Sequence, residues 1–238
     1  MSERIDEIGF GGYKLIQDTD AFCYGIDAVL LADFAACGAA DNVFDLCCGN
    51  GAVSFILYAK YHPERITGLD VQKRAVELAN RSAVQNGLAE TLSFACGDAL
   101  NIKNLFPSSS FDLVVCNPPY FEKGSGISCD ADEKHIARHE STAGIADFLR
   151  AGSYLLAKGG RMCIIHRPSR IPDIITEARH LGLEPKIMQL VAPHADESPN
   201  LVLIRLIKGA GRELKVLPTV AVREKDGSYT EAIKRIYK

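Results

Sequence analysis

From residue 42 onward, short apolar runs alternate with longer stretches of helical spacing. The run 42–47 (NVFDLC) is short, apolar and stopped by Gly49 and Gly51, which predicts a buried strand. Residues 52–61 follow with helical spacing, and 65–70 (RITGLD) predicts the next strand. Over 71–87 apolar residues recur at 71, 75, 76, 79 and 83 before Asn86-Gly87, a helix ending on its stop signal. Further strands are predicted over 91–98, 111–119, 161–167, 186–192 and 200–208, with helices over 141–158, ending at Gly159-Gly160, and over 171–182.

Alternation of this kind predicts parallel strands joined by crossover helices, a doubly wound α/β fold with a mostly parallel seven-stranded sheet. The last two strands are too close for a crossover, with Pro193 and Pro199 between them, so they are expected to pair as an antiparallel hairpin. Residues 1–40 stand outside the rhythm, with a strand-like FGGYKLIQ and a helix over 27–36; they are expected to form an extension covering the site of the domain at 41–238. Residues 120–141 form a connection rich in Gly, Ser and charge, a length that in a compact domain marks function or disorder.

The chain has 238 residues, enough to build one large core without disulfide or metal staples. No run of 18 apolar residues is present and the start lacks the basic and apolar regions of a signal peptide, which together point to the cytosol. The eight cysteines form no C-x-x-C pair, so a zinc site is not expected, and several lie in apolar runs as small core residues. The net charge of −3 is split unevenly: residues 1–150 hold 12 Lys/Arg against 21 Asp/Glu, and residues 151–238 hold 15 against 9. That split on its own reads first as scattered solubilising charge, and it is also compatible with an RNA-facing second half carried by residues such as Arg161, Arg167, Arg170, Lys208, Arg212 and Lys215.

In open parallel sheets ligands bind beyond the carboxyl ends of the strands. Here the first predicted strand ends in Asp45-Leu46-Cys47-Cys48-Gly49-Asn50-Gly51, a turn whose glycines let backbone approach a ligand; a plain strand–helix turn has the same look. The second ends in Asp70, suited to ribose hydroxyls or to capping the next helix, and the third in Gly97-Asp98. Three acids on one sheet edge repel a phosphate-rich dinucleotide and suit a ligand with hydroxyls, an amino group and a positive centre, the profile of S-adenosylmethionine. The fourth ends in Asn117-Pro118-Pro119-Tyr120. Two prolines remove N–H donors and leave acceptor carbonyls, Asn adds an acceptor and Tyr a flat face, a set suited to a planar group bearing an NH2.

D-x-x-x-G-x-G, the acids after the next two strands and N-P-P-Y resemble the class I, Rossmann-like, S-adenosylmethionine-dependent amino-methyltransferases. The stretch Phe22-Cys23-Tyr24-Gly25-Ile26-Asp27-Ala28-Val29-Leu30-Leu31, Ala137-Arg138-His139-Glu140, and Asp226-Gly227-Ser228-Tyr229-Thr230 with Ile236-Tyr237 are similar to the bacterial tRNA(Val) adenine N6-methyltransferases, which act on the adenine 3′ of the anticodon. The resemblance implies that Asp45, Gly49 and Gly51 hold the methionine part of the cofactor, closed by Tyr24 and Asp27. Asp70 takes the ribose and Asp98 the adenine amino group, with Val71, Gly97 and Ala99 beside them. Asn117, Pro118, Pro119 and Tyr120 form the catalytic set, Asn117 also facing the cofactor. Tyr120, Phe121, Arg138 and His139 are the implied substrate contacts; His135, His139 and Glu140 are acid/base groups or exposed loop residues, and Arg138 meets phosphate or anchors its loop. The partners implied are tRNA and the methyl donor, with no metal, no membrane and no covalent nucleophile. Cys47 departs from the family, which has Gly there: if the strand end needs positive φ, Cys47 is strained. The neighbouring readings are a glutamine N5-methyltransferase of release factors, a guanine N2-methyltransferase of ribosomal RNA, and a catalytically silent RNA-binding module.

Overall fold

A computed structural model describes residues 2–20, 23–38, 41–120 and 143–237. Phe22, Phe121, His135, Arg138, His139 and Glu140 lie outside the described residues.

An antiparallel hairpin, β1 (Glu3–Glu7) and β2 (Lys14–Asp18), precedes helix α1 (Ile26–Ala35). The alternation then begins: β3 (Asn42–Leu46), α2 (Ala52–Tyr61), β4 (Arg65–Asp70), α3 (Lys73–Gln85), β5 (Leu92–Cys96), the short α4 (Ile102–Leu105) and β6 (Phe111–Cys116). After the undescribed segment come α5 (Ile145–Leu155), β7 (Leu156–His166), α6 (Ile171–His180), β8 (Leu183–Ala192), β9 (Leu201–Lys208), β10 (Lys215–Ala221) and α7 (Glu231–Ile236).

The large sheet has the order β10-β8-β9-β7-β6-β3-β4-β5. β3 to β7 pair in parallel and β9 runs antiparallel between β7 and β8, so the doubly wound class and the terminal hairpin are as expected. Period two sorts side chains to the two faces. Leu113, Val115, Cys163 and Ile165 join a core under α1 and α2, while Val114, Cys116, Met162 and Ile164 join the core under α5 and α6. A strand buried on both faces reads as a continuous apolar run, as residues 113–116 of β6 and 162–165 of β7 do.

Three elements differ from the expectation. The sheet has eight strands, because β10 adds to β8 in parallel. Its KVLPTVA sequence is largely exposed and interrupted by Pro218, at a register shift between Leu217 and Val220; proline is tolerated there because β10 is an edge. The Gly159-Gly160 pair does not stop a helix. α5 ends at Leu155 and β7 has already begun, the glycines lying within the strand near a register shift, with Gly159 at φ 81°. Finally, FGGYKLIQ holds only half of a hairpin, because β1 (ERIDE) carries too much charge to read as a strand.

The hairpin is fixed to α3. Ile16 N–H donates to Ser82 Oγ at 2.9 Å and Lys14 N–H to Asn86 Oδ1 at 2.9 Å, and Glu3 bridges Arg81 at 2.7 Å. At the other terminus Tyr237 stacks on Phe10 (5.0 Å) and Tyr229 on Tyr237 (6.0 Å), with Arg223 over Tyr229 and Lys60 over Phe10. This ladder of rings and cations clasps the last residues to the N-terminal segment and to α2, and Lys60 adds an ion pair with Asp33 of α1 at 2.6 Å.

Candidate active site

The β3–α2 turn is shaped by backbone conformation before any side chain acts. Cys47 has φ 63°, Gly49 φ 53° and Gly51 φ 87°. Positive φ at Cys47 is the strained case anticipated from the sequence, since an L-residue pays for the left-handed region. Two N–H groups hold it there: those of Cys47 and Cys48 donate to Leu69 O at 2.9 and 3.1 Å. The adjacent Cys116 thiol first, then partial burial, hold the Cys47 thiol well above the ordinary thiol range. A protonated thiol is a poor nucleophile, which leaves Cys47 a packing role. Gly51 is required twice, because a Cβ there would also stand 2.9 Å from Phe94.

Asp45 lies beneath this turn with no exposed surface, its Oδ2 accepting from the Ser54 hydroxyl at 2.6 Å. Its Oδ1 is buried without a hydrogen-bond partner among the described residues. Burial, with the Asp70 charge nearby, pushes the Asp45 carboxyl up to about 7 against the pull of Ser54. Asp70 is 7% exposed and ties two loops: Oδ2 accepts from Gly49 N–H (2.8 Å) and Oδ1 from Gln72 N–H (2.9 Å). Burial raises its carboxyl and these N–H groups oppose the rise. Each oxygen keeps a further lone pair, so capping and ligand binding are compatible in one carboxylate. Asp98 caps the next turn, Oδ1 accepting from Leu100 N–H at 2.9 Å. Around Gly97, which has no room for a Cβ beside Leu105, the apolar Val71 (41%) and Leu100 (48%) stand exposed, and Ala99 opens the turn.

Asn117 follows the end of β6, whose last residue, Cys116, is in register with Leu46 of β3 and Ile164 of β7. Asn117-Pro118-Pro119-Tyr120 therefore stands beside the glycine turn. Asn117 Nδ2 donates to Asp27 Oδ2 at 3.3 Å, and the Tyr120 hydroxyl is 3.1 Å from Asp27 Oδ2 and 2.9 Å from Asn117 Oδ1. Burial first, then the Asp27 carboxylate, hold the Tyr120 phenol far above its ordinary value. Tyr24 is half-buried nearer Tyr229 and Tyr237, its N–H donating to Gln17 Oε1 at 3.2 Å. Gln17 Oε1 also accepts from Asn50 Nδ2 at 3.3 Å, which joins the N-terminal segment to the turn.

Sequence reasoning passed over two neighbours. Ser54 is the polar exception in the apolar AVSFILYAKY helix and faces back to Asp45. His166 ends β7 at the same sheet edge, its ring 5.3 Å from that of Tyr120 and its Nδ1 accepting from Arg167 N–H at 2.8 Å. Its place at the end of an apolar strand was the available signal.

The basic residues separate by sheet end. Lys208 pairs with Leu183 at the start of β8, about 15 Å along the strands from Asn117. Its ammonium donates to Ser153 O (2.7 Å) and Leu156 O (2.8 Å), satisfying the end of α5. Arg212 and Lys215 are exposed at that same far end, Lys215 pairing with Ile187. Arg161 bridges Asp41, and Arg170 bridges Asp173 at 2.8 Å. Arg167 is exposed at the same sheet end as Asn117, near Tyr120. Among the described residues no group of three or more His, Cys, Asp or Glu could hold a metal ion, and no helix is long and apolar enough to cross a membrane.

The family described as Methyltransferase domain matches residues 38–190. A tRNA1(Val) (adenine(37)-N6)-methyltransferase of Porphyromonas gingivalis is 28% identical over 175 residues, covering 71% of this chain and 68% of that protein. One of Serratia proteamaculans with the same name is 28% identical over 234 residues, covering 95% and 86%. Among solved structures, a predicted O-methyltransferase of Agrobacterium tumefaciens superposes with a TM-score of 0.70 at 23% identity, covering 89% of this chain and 95% of that one. TrmN of Thermus thermophilus gives 0.55 at 22% identity, covering 76% and 48%. These likenesses of structure establish the fold.

Proposed function

The chain belongs to the Methyltransferase domain family, and from that premise we propose that it transfers the methyl group of S-adenosylmethionine to the N6 amino group of an adenine in tRNA, at adenine 37 of tRNA(Val), the position for which its relatives are named. Its work is cytosolic and its partners are tRNA and the methyl donor. The observation that carries the reading is the placement of Asn117-Pro118-Pro119-Tyr120 at the end of β6, beside the Cys47–Gly51 turn.

The donor set fits the cofactor. Asp45 Oδ1 is a buried acceptor in want of a donor, which an ammonium group supplies. Gly49 and Gly51 present backbone without Cβ, Asp70 retains lone pairs for ribose hydroxyls, and Val71 and Leu100 offer apolar surface for a purine with Asp98 at its edge. The N-terminal segment, reaching Asn50 through Gln17 and Asn117 through Asp27, covers the site.

S-adenosylmethionine when bound supplies an electrophilic methyl group on a sulfonium. The chain's own task is to present a nitrogen. The target base leaves its stack, since a base within a duplex or loop stack cannot reach a pocket. Asn117 Oδ1 and the Pro118 carbonyl accept its two N–H bonds, which turns the nitrogen lone pair out of the ring plane. Tyr120 gives the base an aromatic wall, backed by His166. Positioning of this kind supplies most of the rate. Replacing Asn117 by Ala removes an acceptor and lets the nitrogen drift; turnover should fall about a hundredfold, the cost of a misplacement of ~1 Å, while calorimetric affinity for S-adenosylmethionine stays within about twofold. Turnover near the native rate would dismiss the role given to Asn117.

A further inference from the structure

One side chain from outside the sheet reaches the catalytic end. Asp27, in the first turn of α1, meets both Asn117 Nδ2 (3.3 Å) and the Tyr120 hydroxyl (3.1 Å), and that hydroxyl lies 2.9 Å from Asn117 Oδ1. The three groups close a ring. An asparagine amide is almost symmetric in shape, and a half-turn of its terminal group exchanges an acceptor for two donors. For an amino group as target the exchange is decisive, because only the oxygen accepts N–H. An ionised carboxylate accepts and never donates, so Asp27 holds Nδ2 and leaves Oδ1 on the opposite side. Asp27 is itself held: its Oδ1 accepts from Ala28 N–H at 3.1 Å, and Gly25 leaves room beside it, since a Cβ there would stand 2.9 Å from that oxygen.

We propose that Asp27 is a positioning residue that locks the Asn117 amide with its oxygen toward the amino group to be methylated, and that the Tyr120 hydroxyl occupies this oxygen until the amino group replaces it. The proposal rests on the amino-methylating reading above. The exchange leaves no group orphaned. The single phenolic proton has two acceptors within reach, and on arrival of the base it stays with Asp27 Oδ2 while Asn117 Oδ1 takes an N–H of the target.

The test compares the full chain with Asp27→Ala and Asp27→Asn, the second keeping a neutral acceptor and the bond from Ala28. Three readouts are taken: kcat and KM on tRNA, S-adenosylmethionine affinity by calorimetry, and the side-chain amide signals of Asn117 in a 15N-asparagine-labelled sample. The expected result for Asp27→Ala is a fall in kcat of about tenfold or more, with KM and cofactor affinity within about twofold, and Asn117 amide protons moving toward the shifts of a free amide. Asp27→Asn should recover part of kcat. An unchanged kcat, unmoved Asn117 signals, or a loss of cofactor affinity in step with kcat overturns the proposal, the last because it would place Asp27 at the cofactor instead. A wild-type chain that methylates no RNA while the Asn117 signals still move on substitution overturns the tRNA substrate reading and leaves the Asp27 lock on the Asn117 amide standing.

Discussion

Replacing Asp45 by Asn should stabilise the free protein, and increasingly so as pH rises. The carboxyl ordinarily titrates at 3.8 and is pushed up to about 7 in the fold, by burial first. Between those values the folded chain holds a proton that the unfolded chain has released, so wild-type stability falls with rising pH; the contribution is complete below 3.8 and gone above about 7. The window spans about three pH units at about 1.4 kcal/mol each, or about 4 kcal/mol in total. Asp45 has no exposed surface, so solvent does not screen this cost. Asn has the same shape, accepts from Ser54 and does not ionise. Urea unfolding followed by circular dichroism from about pH 4 to about pH 8 should show the variant gaining on the wild type by about 4 kcal/mol, the gain flattening near neutrality. A difference that stays constant across this range would refute the buried, ionisable Asp45. Cofactor affinity supplies the converse: if Asp45 must ionise to meet an ammonium group, affinity in the wild type falls about tenfold per pH unit below neutrality, and the variant loses that dependence.

Cys47→Gly relieves the left-handed backbone by about 1 kcal/mol, which a looser unfolded chain and the lost packing of the thiol together offset, so its melting temperature should not rise. Cys47→Val puts a β-branched residue at φ 63° and should cost more than about 2 kcal/mol; equal stability of the two variants would deny the positive φ. Lys208→Ala should destabilise the fold by about 1 to 2 kcal/mol, through the orphaned carbonyls of Ser153 and Leu156, and leave tRNA affinity unchanged. Arg167→Glu should weaken tRNA binding and lower the slope of log affinity against log salt by about 0.7; tRNA binding unmoved here but lost in Lys208→Ala would return RNA to the far end of the sheet. Tyr237→Ala should break the clasp on Phe10, costing about 2 to 3 kcal/mol by thermal unfolding, and a smaller loss would mean that the terminal segment docks by other contacts.

The sheet was legible because β3, β4 and β6 are short, largely buried segments bounded by turn and helix signals, with a run such as Leu113–Cys116 at their centre. β1 and β10 were not, since an edge strand buries little and is written with charge or proline, as in ERIDE and KVLPTVA. Gly159-Gly160 misled because the same dipeptide serves a helix stop and a strand irregularity, and only the pairing partner distinguishes them. At the site, the positions of Asp70 and Asn117 at or just past the ends of β4 and β6 were legible from the strand pattern, whereas His166 at the end of β7 was passed over. The backbone state of Cys47 was also open to anticipation, because a glycine-rich turn demands positive φ at set places. What stayed hidden is long-range: the bond from Asp27 to Asn117 spans 90 residues, and the ammonium of Lys208 spans 55 to Ser153 O. No local pattern records which carboxylate will meet which amide, or that a surface-type lysine is spent on helix carbonyls.

The central claim is tested most directly by incubating the purified chain with methyl-labelled S-adenosylmethionine and tRNA isolated from cells lacking the enzyme, then digesting the RNA to nucleosides. The account predicts label in N6-methyladenosine, confined to one tRNA and abolished in Asn117→Ala. Label on a glutamine of added protein, on guanosine, or on no acceptor while the cofactor binds would contradict it.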